Sequence, residues 1–305
     1  MSTFIQITEV GPRDGFQNIK TFIPTDLKIK VIDRLVEAGV GAMEITSMVS
    51  PKAIPQMSDA REVIQHVLNT HPHIIPSVLV PNVKGASLAS ETGIKNINYV
   101  ISVSPAHNKA NINRTHSESL EDLYKIRQQY GDLNITLSLA TVFGCPFIGE
   151  TSSEVLLDII KFAEDLSISK ITLCDTIGVA NPVQTRYLLQ RIQQKFPTLD
   201  IGLHLHNTHG MALASMYAGI QSGITRFETA VGGLGGCPFA PGAAGNAATE
   251  DAVNMFSRMG LETGISLDKL LEISSLIRTT IEPNLLSSLS RARTYSEFDF
   301  CSEKL

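Results

Sequence analysis

Short segments rich in β-branched and apolar residues alternate with segments of helical spacing along most of this chain. A strand–helix–strand unit needs about 30 residues, and roughly eight such units occupy about 260 residues here. This repetition predicts a (β/α)8 TIM barrel. A doubly wound open sheet is the competing architecture, although no GxGxxG sequence follows the first strand. The eight predicted strands are Phe4–Val10, Ala42–Thr46, Ile74–Val80, Asn96–Val103, Asn134–Ala140, Lys170–Leu173, Asp200–His204 and Arg226–Ala230.

The helical segments carry apolar residues about one turn apart, which gives each helix a face for the barrel core. The clearest of them contains Val155, Ile159, Phe162 and Leu166. Thr151 and Glu154 precede these residues with the spacing of a capping box, in which two side chains satisfy backbone N–H groups. Thr115 and Glu118 are expected to open another helix in the same way.

The pattern from about Ser266 onward is helical only, so we expect additional helix after the barrel. No low-complexity linker interrupts the chain before this point. We therefore predict a single catalytic domain over residues 1–305, with the barrel at about 1–262 and a C-terminal helical extension at about 263–305.

The composition is typical of a globular enzyme, since 43% of the 305 residues are hydrophobic and 18% are charged. The net charge of −5, without a basic stripe, argues against a nucleic-acid partner. No apolar run approaches the roughly 18 residues of a membrane span, and Met1–Gln6 lacks the features of a signal peptide. The four cysteines form no CxxC pair, which excludes a disulfide framework and a zinc ribbon. We expect a cytoplasmic enzyme.

Polar residues cluster where the predicted strands end, and in a barrel these ends form the face that carries active sites. Gly11–Asn18, after the first strand, contains Arg13 and Asp14; taken alone, it could equally be a loop with an exposed ion pair. His204 and His206 point to the same side of the seventh strand because strand side chains alternate. Two convergent imidazoles are a common beginning of a metal site, although two hydrogen-bonded barrel histidines would give the same pattern.

A long glycine-rich stretch, Gly232–Asn246, follows the last predicted strand. Connections of this length in compact domains are usually functional rather than structureless. It contains Cys237, whose thiol we expect to be accessible, and ends at Asn246, which offers a neutral oxygen ligand. Glu44 lies near the end of the second strand, and Asp175 follows the end of the sixth. Each alone could be a helix cap or a loop hydrogen bond, but their equivalent placement favours a role in the site.

Taken together, these segments resemble the 3-hydroxy-3-methylglutaryl-CoA lyase family of metal-dependent TIM-barrel lyases. The resemblance runs from about Glu9 to about Leu271 and rests on six motifs in the same order. The motifs are Gly11–Asn18; Glu44–Ser47 with Val49–Lys52 and Pro55–Met57; Gly144–Phe147; Asp175–Gly178; His204-x-His206; and Gly233–Phe239, the signature loop of the family.

The resemblance implies a divalent cation, Mg²⁺ or Mn²⁺, held by Asp14, His204, His206 and Asn246. It also implies a homodimer and an acyl-CoA substrate. The implied reaction is the retro-Claisen cleavage of 3-hydroxy-3-methylglutaryl-CoA to acetyl-CoA and acetoacetate. In this reaction the C3 hydroxyl loses its proton, the C2–C3 bond breaks, and the resulting enolate of acetyl-CoA must be protonated.

The residue types suit these steps. A cation acidifies the C3 hydroxyl, and Asp14 or His204 could take its proton. Arg13 is permanently charged, so it could bind the substrate and stabilise the enolate oxygen. The thiol of Cys237 is mostly protonated at neutral pH and could protonate the enolate as a general acid.

Four further residues complete the implied site. Glu44 and Asp175 are expected to act in catalysis by ordering neighbouring side chains and the path of the hydroxyl proton. Gln17 and Ser47 are candidate substrate contacts.

Three alternatives remain open at this point. Some positions differ from the usual family pattern, such as Cys174 in place of a glycine, so the substrate could be a bulkier 3-hydroxy-3-alkylglutaryl-CoA. His206-Asn207 is also seen in acetyl-CoA-dependent Claisen synthases that act on 2-oxo acids, but those enzymes lack the Gly-Gly-Cys-Pro loop. A metal-binding barrel without activity is the third alternative.

Overall fold

In the computed structural model, eight parallel strands close into a barrel in which each strand pairs with the next and the last pairs with the first. The structure describes residues 3–236 and 245–292. The predicted TIM barrel is confirmed. The strands are β1 (Gln6–Glu9), β2 (Ala42–Ser47), β3 (Ile75–Val80), β4 (Asn96–Ser102), β5 (Asn134–Ala140), β6 (Lys170–Asp175), β7 (Asp200–Leu205) and β8 (Arg226–Thr229).

Helices follow the strands and pack on the outside of the barrel. The α-helices of the described residues are α1 (Thr25–Glu37), α2 (Ala60–Thr70), α3 (Val83–Thr92), α4 (Pro105–Ile112), α5 (His116–Gln129), α6 (Ser153–Asp165), α7 (Pro182–Lys195), α8 (Ala212–Gln221), α9 (Thr249–Arg258) and α10 (Leu267–Thr280). Single turns of π- or 3₁₀-helix lie at Gly11–Gly15, Phe16–Asn18, Pro55–Met57, Val231–Gly233 and Leu289–Arg291.

One of the two predicted capping boxes is confirmed. The Thr115 hydroxyl accepts from the Glu118 backbone N–H at 3.2 Å, and the Glu118 carboxylate accepts from the Thr115 N–H at 2.7 Å. The box predicted at Thr151 is wrong, because Ser152 is the N-cap of α6. Thr151 instead donates its hydroxyl to the carbonyl of Val142 at 3.1 Å and thereby holds the connection that follows β5.

Most residues of the barrel strands are buried, as expected for parallel strands covered by helices. Apolar side chains on the outer side meet the helices; Phe227 of β8, for example, lies with its ring 5.3 Å from that of Phe256 of α9. The inner side carries a polar layer. Ser138 donates to Asn98 at 2.8 Å, and Asn98 donates to Glu44 at 2.9 Å. This layer lies directly beneath the carboxyl ends of the strands and helps to fix Glu44.

Glu9, at the end of β1, joins three segments that surround the barrel mouth. Its Oε1 accepts from the backbone N–H groups of Gly11 (2.8 Å) and Val231 (2.9 Å), and its Oε2 accepts from the Thr249 hydroxyl at 2.5 Å. Burial raises the pKa of Glu9 to about 7, with hydrogen bonds to Thr249, Val231 and Gly11 opposing the shift. Glu9 therefore holds the loops after β1 and β8 in register.

We expect Glu9→Gln to flatten the pH dependence of stability. Folded protein keeps the Glu9 proton up to about pH 7, whereas an unfolded glutamate releases it near 4.5. Native protein thus binds more protons in this window, and Glu9 makes stability fall with rising pH by about 3 kcal/mol in total. A glutamine stays neutral and keeps an acceptor for both N–H groups, so the variant should lose less stability between about pH 5 and 8.

Urea unfolding of wild type and variant across this pH range measures the difference. Glu9→Ala is the matched comparison, because it leaves two buried N–H groups without their acceptor and should cost about 2–5 kcal/mol. Parallel stability curves for wild type and Glu9→Gln would contradict the assigned proton.

The last described helix, α10, begins directly after Ser266, whose hydroxyl caps it by accepting from the backbone N–H of Lys269. It packs against α1 and α9 through buried side chains that include Leu270 and Ile277. The division into a barrel and a C-terminal extension remains a prediction. None of the helices in the two described segments is long and apolar enough to cross a membrane.

Candidate active site and metal centre

A cavity of about 520 Å³ lies at the carboxyl ends of the barrel strands. Its wall combines a guanidinium group, carboxylates and imidazoles with apolar side chains, a composition typical of a small-molecule site. Residues of the wall that bear on chemistry are Arg13, Asp14, Gln17, Asn98, His107, Cys174, His204, His206 and Glu228.

Arg13 and Asp14 lie in the helical turn that follows β1, and both side chains are almost completely buried. The Arg13 Nη1 donates to Asp14 Oδ1 at 2.6 Å, and the Arg13 Nε donates to Glu44 Oε2. The charge of Arg13 is therefore shared by two carboxylates. This pairing fixes the guanidinium at the cavity wall. The alternative interpretation of the segment, an ordinary loop with an exposed ion pair, is therefore wrong.

His204 and His206 converge as the alternation of β7 predicts, with ring centroids 5.2 Å apart. The His204 Nδ1 lies 2.9 Å from Glu228 Oε2, and Thr172 donates to the other oxygen of Glu228 at 3.0 Å. A carboxylate in this position orients an imidazole and leaves its Nε2 for a ligand or a proton. Each of Asp14, His204 and His206 offers one ligand atom, and these atoms all lie within 4.8 Å of one another.

Asn246 lies beside this cluster, joined to His206 by a backbone bridge. Its Nδ2 donates to Asp14 Oδ2 at 2.7 Å and to the Leu234 carbonyl at 3.0 Å. Two buried atoms here, Asn246 Oδ1 and His206 Nδ1, have no hydrogen-bond partner among the described residues. Buried polar atoms are normally satisfied, so lone pairs left without a donor fit a site that holds a cation.

The surroundings of the cluster favour an ionised Asp14 and a neutral His206. Burial would raise the pKa of Asp14, but the charges of Arg13, His204 and His206 outweigh burial and lower it to about 2. Burial, together with His204, lowers the pKa of His206 to about 4. Burial would also lower the pKa of His204, but its contact with Glu228 outweighs this effect and raises it. An ionised Asp14 and a neutral His206 are the forms that bind metals.

Glu44 and Gln17 are both predicted for the site; Glu44 contacts Arg13, and Gln17 contacts Asp14. Glu44 is buried on β2, and burial raises its pKa even though Arg13 opposes the shift. Gln17 lines the cavity and donates to Asp14 Oδ1 at 3.1 Å. Both residues thus help to hold Arg13 and Asp14 in place, and Gln17 also faces the space available to a substrate.

Two other predicted residues lie near the cavity but are not among the described residues that line it. Asp175 accepts from the backbone N–H groups of Val179 (3.0 Å) and Ala180 (2.8 Å) with its two carboxylate oxygens, and so shapes the loop after β6. Ser47 is buried, and its hydroxyl donates to the Leu79 carbonyl at 3.3 Å. These contacts support a role for Asp175 in positioning the loop after β6. The Ser47 hydroxyl is engaged by the neighbouring strand β3.

Cys237, the predicted general acid, lies outside the described residues. Among the described cysteines, Cys145 lies in the connection after β5 and is buried, with its thiol donating to the Ser104 hydroxyl at 3.0 Å. Cys174 lines the cavity, and burial raises its pKa well above the ordinary value.

Glu228 and Asn98 are two contributors to this site that sequence reasoning missed. A signal was present, since a carboxylate within the buried strand β8 requires a partner. Side-chain alternation also puts Glu228 on the same side of β8 as Arg226, towards the barrel interior. Pairing it with His204 needs the register between β7 and β8, in which these two residues are opposite each other. Asn98 was missed because its contacts, to Glu44 of β2 and Ser138 of β5, join strands that are far apart in the sequence.

Gly235 has a backbone φ of +117° and lies against the cluster, so we expect Gly235→Ala to disturb the site. A Cβ there would lie 2.5 Å from Asn246 Nδ2 and 3.2 Å from Asp14 Oδ2. Gly260→Ala is the matched control, because Gly260 also has a positive φ but open space around it. Both variants should lose about 1–3 kcal/mol from backbone strain, whereas only Gly235→Ala should weaken cation binding. Thermal unfolding measures the loss of stability, and cation titration measures the affinity. Equal cation affinities in the two variants would contradict this account.

Comparison with known proteins extends these observations. The HMGL-like family model matches residues 4–277. Hydroxymethylglutaryl-CoA lyase of Bacillus subtilis is 42% identical over 275 residues, which cover 90% of this chain and 92% of that protein. Human mitochondrial hydroxymethylglutaryl-CoA lyase is 38% identical over 290 residues, covering 94% and 89%. The structure of an HMG-CoA lyase from Acinetobacter baumannii in complex with coenzyme A and 3-methylmalate is similar with a TM-score of 0.92 and 39% identity, covering 97% of both chains.

Proposed function

The chain belongs to the HMGL-like family, and we propose that it cleaves 3-hydroxy-3-methylglutaryl-CoA to acetyl-CoA and acetoacetate as a divalent-metal-dependent carbon–carbon lyase. The observation that carries this proposal is the convergence of Asp14, His204 and His206 within 4.8 Å, in a cavity that Arg13 also lines. Lyases for this substrate are similar to the chain over nearly its whole length. A relative whose structure contains coenzyme A supports an acyl-CoA substrate.

A cation would be held by Asp14, His204, His206 and Asn246. Two oxygen and two nitrogen donors fit Mg²⁺ or Mn²⁺ and leave coordination positions for substrate oxygens. When bound, the cation would polarise the C3 hydroxyl of the substrate and lower its pKa.

Asp14 and His204 are the two groups beside this position that could take the hydroxyl proton. His204 is the better acceptor, because Glu228 stabilises its protonated ring. Since Glu228 contacts Nδ1 of His204, Nε2 is the atom of this ring that could hold a cation or take the proton. As the proton leaves, the oxygen forms the new carbonyl of acetoacetate, and the electron pair of the C2–C3 bond becomes the enolate of acetyl-CoA.

Arg13 would stabilise the charge that develops on the enolate oxygen, because a fixed cation in a dry site acts strongly on new negative charge. Cys237 would return a proton to C2; this role rests on thiol chemistry and on the family resemblance. Glu44 would position Arg13, Gln17 would contact the substrate at the cavity wall, and Asp175 would hold the loop after β6. Ser47 would contact the substrate only by giving up its bond to Leu79.

The deciding experiment supplies purified protein and Mg²⁺ with a panel of 3-hydroxy-3-alkylglutaryl-CoA esters and follows acetyl-CoA release. Fastest turnover of the methyl ester supports the proposal, and fastest turnover of an ethyl or propyl ester reassigns the substrate. Release of free CoA thiol from acetyl-CoA and a 2-oxo acid would indicate a synthase. Cation binding without turnover of any ester would contradict an enzymatic function.

We predict that activity requires an added cation. Asp14 is the single charged ligand of the proposed set, so a cation should bind weakly enough to be removed by a chelator. Chelator treatment followed by dialysis should abolish acetyl-CoA release, and Mg²⁺ or Mn²⁺ should restore it. His206→Ala should weaken cation binding without unfolding the barrel, whereas His204→Ala should lower kcat further because it also removes the proton acceptor. Full turnover by metal-free protein would contradict this assignment.

We also propose a homodimer in the cytoplasm. Exposed apolar side chains on the adjacent helices α7 and α8 support self-association: Val183 and Tyr187 lie one turn apart, and Tyr217 lies on the neighbouring helix. The free thiols of Cys145 and Cys174 suit a reducing compartment. Light scattering at several concentrations tests the dimer, and cell fractionation tests the location.

A further inference from the structure

A second cluster of potential metal ligands lies at the opposite end of the barrel from the candidate active site. Asp33 comes from the last turns of α1, His66 from α2, and His71 from the connection that leads to β3. The Asp33 Oδ1 lies 2.8 Å from His66 Nε2 and 2.6 Å from His71 Nε2. One ligand atom from each residue lies within 4.8 Å of the others. Three separate segments therefore direct donor atoms at one point.

We propose that Asp33, His66 and His71 form a second metal site, selective for a transition-metal cation such as Zn²⁺. This set offers one protein oxygen and two imidazole nitrogens, against two oxygens and two nitrogens at the proposed catalytic site, so it favours Zn²⁺, Co²⁺ and Cu²⁺ more strongly. The side chains are 31%, 26% and 12% exposed, respectively, so a cation can enter and water can complete the coordination. The site is independent of the proposed catalytic metal and of the proposed reaction.

The observed spacing is close to what such a site requires. Zinc bonds of about 2.0–2.2 Å in a tetrahedral arrangement separate neighbouring ligand atoms by about 3.3 Å. The contacts from Asp33 to the two imidazoles would have to open by roughly half an ångström, which partly exposed side chains can do by small rotations. A bound cation would replace the two hydrogen bonds and join α1, α2 and the following connection, so its effect would be local rigidity.

His73 provides a matched control for this assignment. It lies two residues beyond His71, with ring centroids 6.0 Å apart, but it is not part of the three-residue cluster. Replacing it removes an exposed imidazole from the same connection while keeping the proposed ligands.

The test is equilibrium dialysis of metal-free, full-length protein against Zn²⁺, followed by metal analysis. Wild type and His73→Gln should bind one equivalent that the double variant H66Q/H71Q lacks. His66→Gln alone should weaken this equivalent at least tenfold. Zn²⁺ should also slow hydrogen exchange in residues 25–37 and 60–73 of wild type and His73→Gln, but not of the double variant. Activity with Mg²⁺ should be the same in all four proteins.

Unchanged Zn²⁺ stoichiometry and affinity in H66Q/H71Q would overturn the proposal, as would loss of the equivalent in His73→Gln alone. Absence of Zn²⁺-dependent protection in these segments of wild type would also overturn it. His206→Ala separates the two sites, because it should lose the catalytic equivalent and keep this one. The Zn²⁺ result at the second site can therefore be interpreted even if the proposed function is wrong.

Discussion

Arg13→Gln is expected to lower kcat by about three orders of magnitude or more while KM changes little. Removing one donor from a site that stabilises developing negative charge costs about 10²–10³ in kcat, and the guanidinium is charged as well as directional. The enolate forms only as the C2–C3 bond breaks, so the interaction is made in the transition state and not with bound substrate. Glu44 and Asp14 hold the guanidinium in place before the reaction, which avoids reorganisation at that moment.

Steady-state kinetics at saturating Mg²⁺ measure this effect, and cation titration must accompany them, because Arg13 contacts the proposed ligand Asp14 directly. Arg13→Lys is the informative companion variant. A lysine keeps the positive charge, but its ammonium group cannot donate to both Asp14 and Glu44 in the fixed planar geometry of a guanidinium. It should recover only part of the rate. A large increase in KM with normal kcat would instead make Arg13 an anchor for the substrate carboxylate or for CoA.

The barrel and half of the proposed metal centre could be predicted from local sequence patterns. Strand–helix repetition fixes the number of units, and parallel strands joined by helices have few ways to close. The two-residue spacing of His204 and His206 fixes their convergence, because alternation is a property of any strand. Asp14 and Asn246 come from opposite ends of the chain. Their meeting was inferred from family resemblance and not from spacing.

What could not be predicted depends on register and on competition between neighbouring side chains. Glu228 meets His204 because β7 and β8 align at that residue, and no local pattern encodes such an alignment. Thr151 and Ser152 are both good helix caps, and the sequence does not say which of them the preceding loop will occupy. The hydroxyl of Ser47 donates to the carbonyl of Leu79 on the neighbouring strand, a contact that also depends on register; its role as a substrate contact remains a prediction.

The described cysteines narrow the choice of general acid. Cys145, like Cys237, stands between a glycine and a proline, but it is buried, its thiol donates to Ser104, and it is not among the described residues that line the cavity. Cys174 does line the cavity, and burial raises its pKa well above the ordinary value, which makes its thiol a reluctant acid. A proton donor to carbon must release its proton readily and then be reprotonated from solvent. Neither described thiol meets both requirements.

Cys237→Ser is therefore expected to slow acetyl-CoA release by a factor on the order of 10²–10⁴, because a hydroxyl is several pKa units weaker as an acid than a thiol of similar size. Cation binding should be unchanged, since Cys237 is not a proposed ligand. Cys174→Ala and Cys145→Ser are the matched controls, and both should turn over within a few-fold of wild type. If Cys237→Ser stays near normal while Cys174→Ala is crippled, the general acid lies on β6 and the loop after β8 has another role.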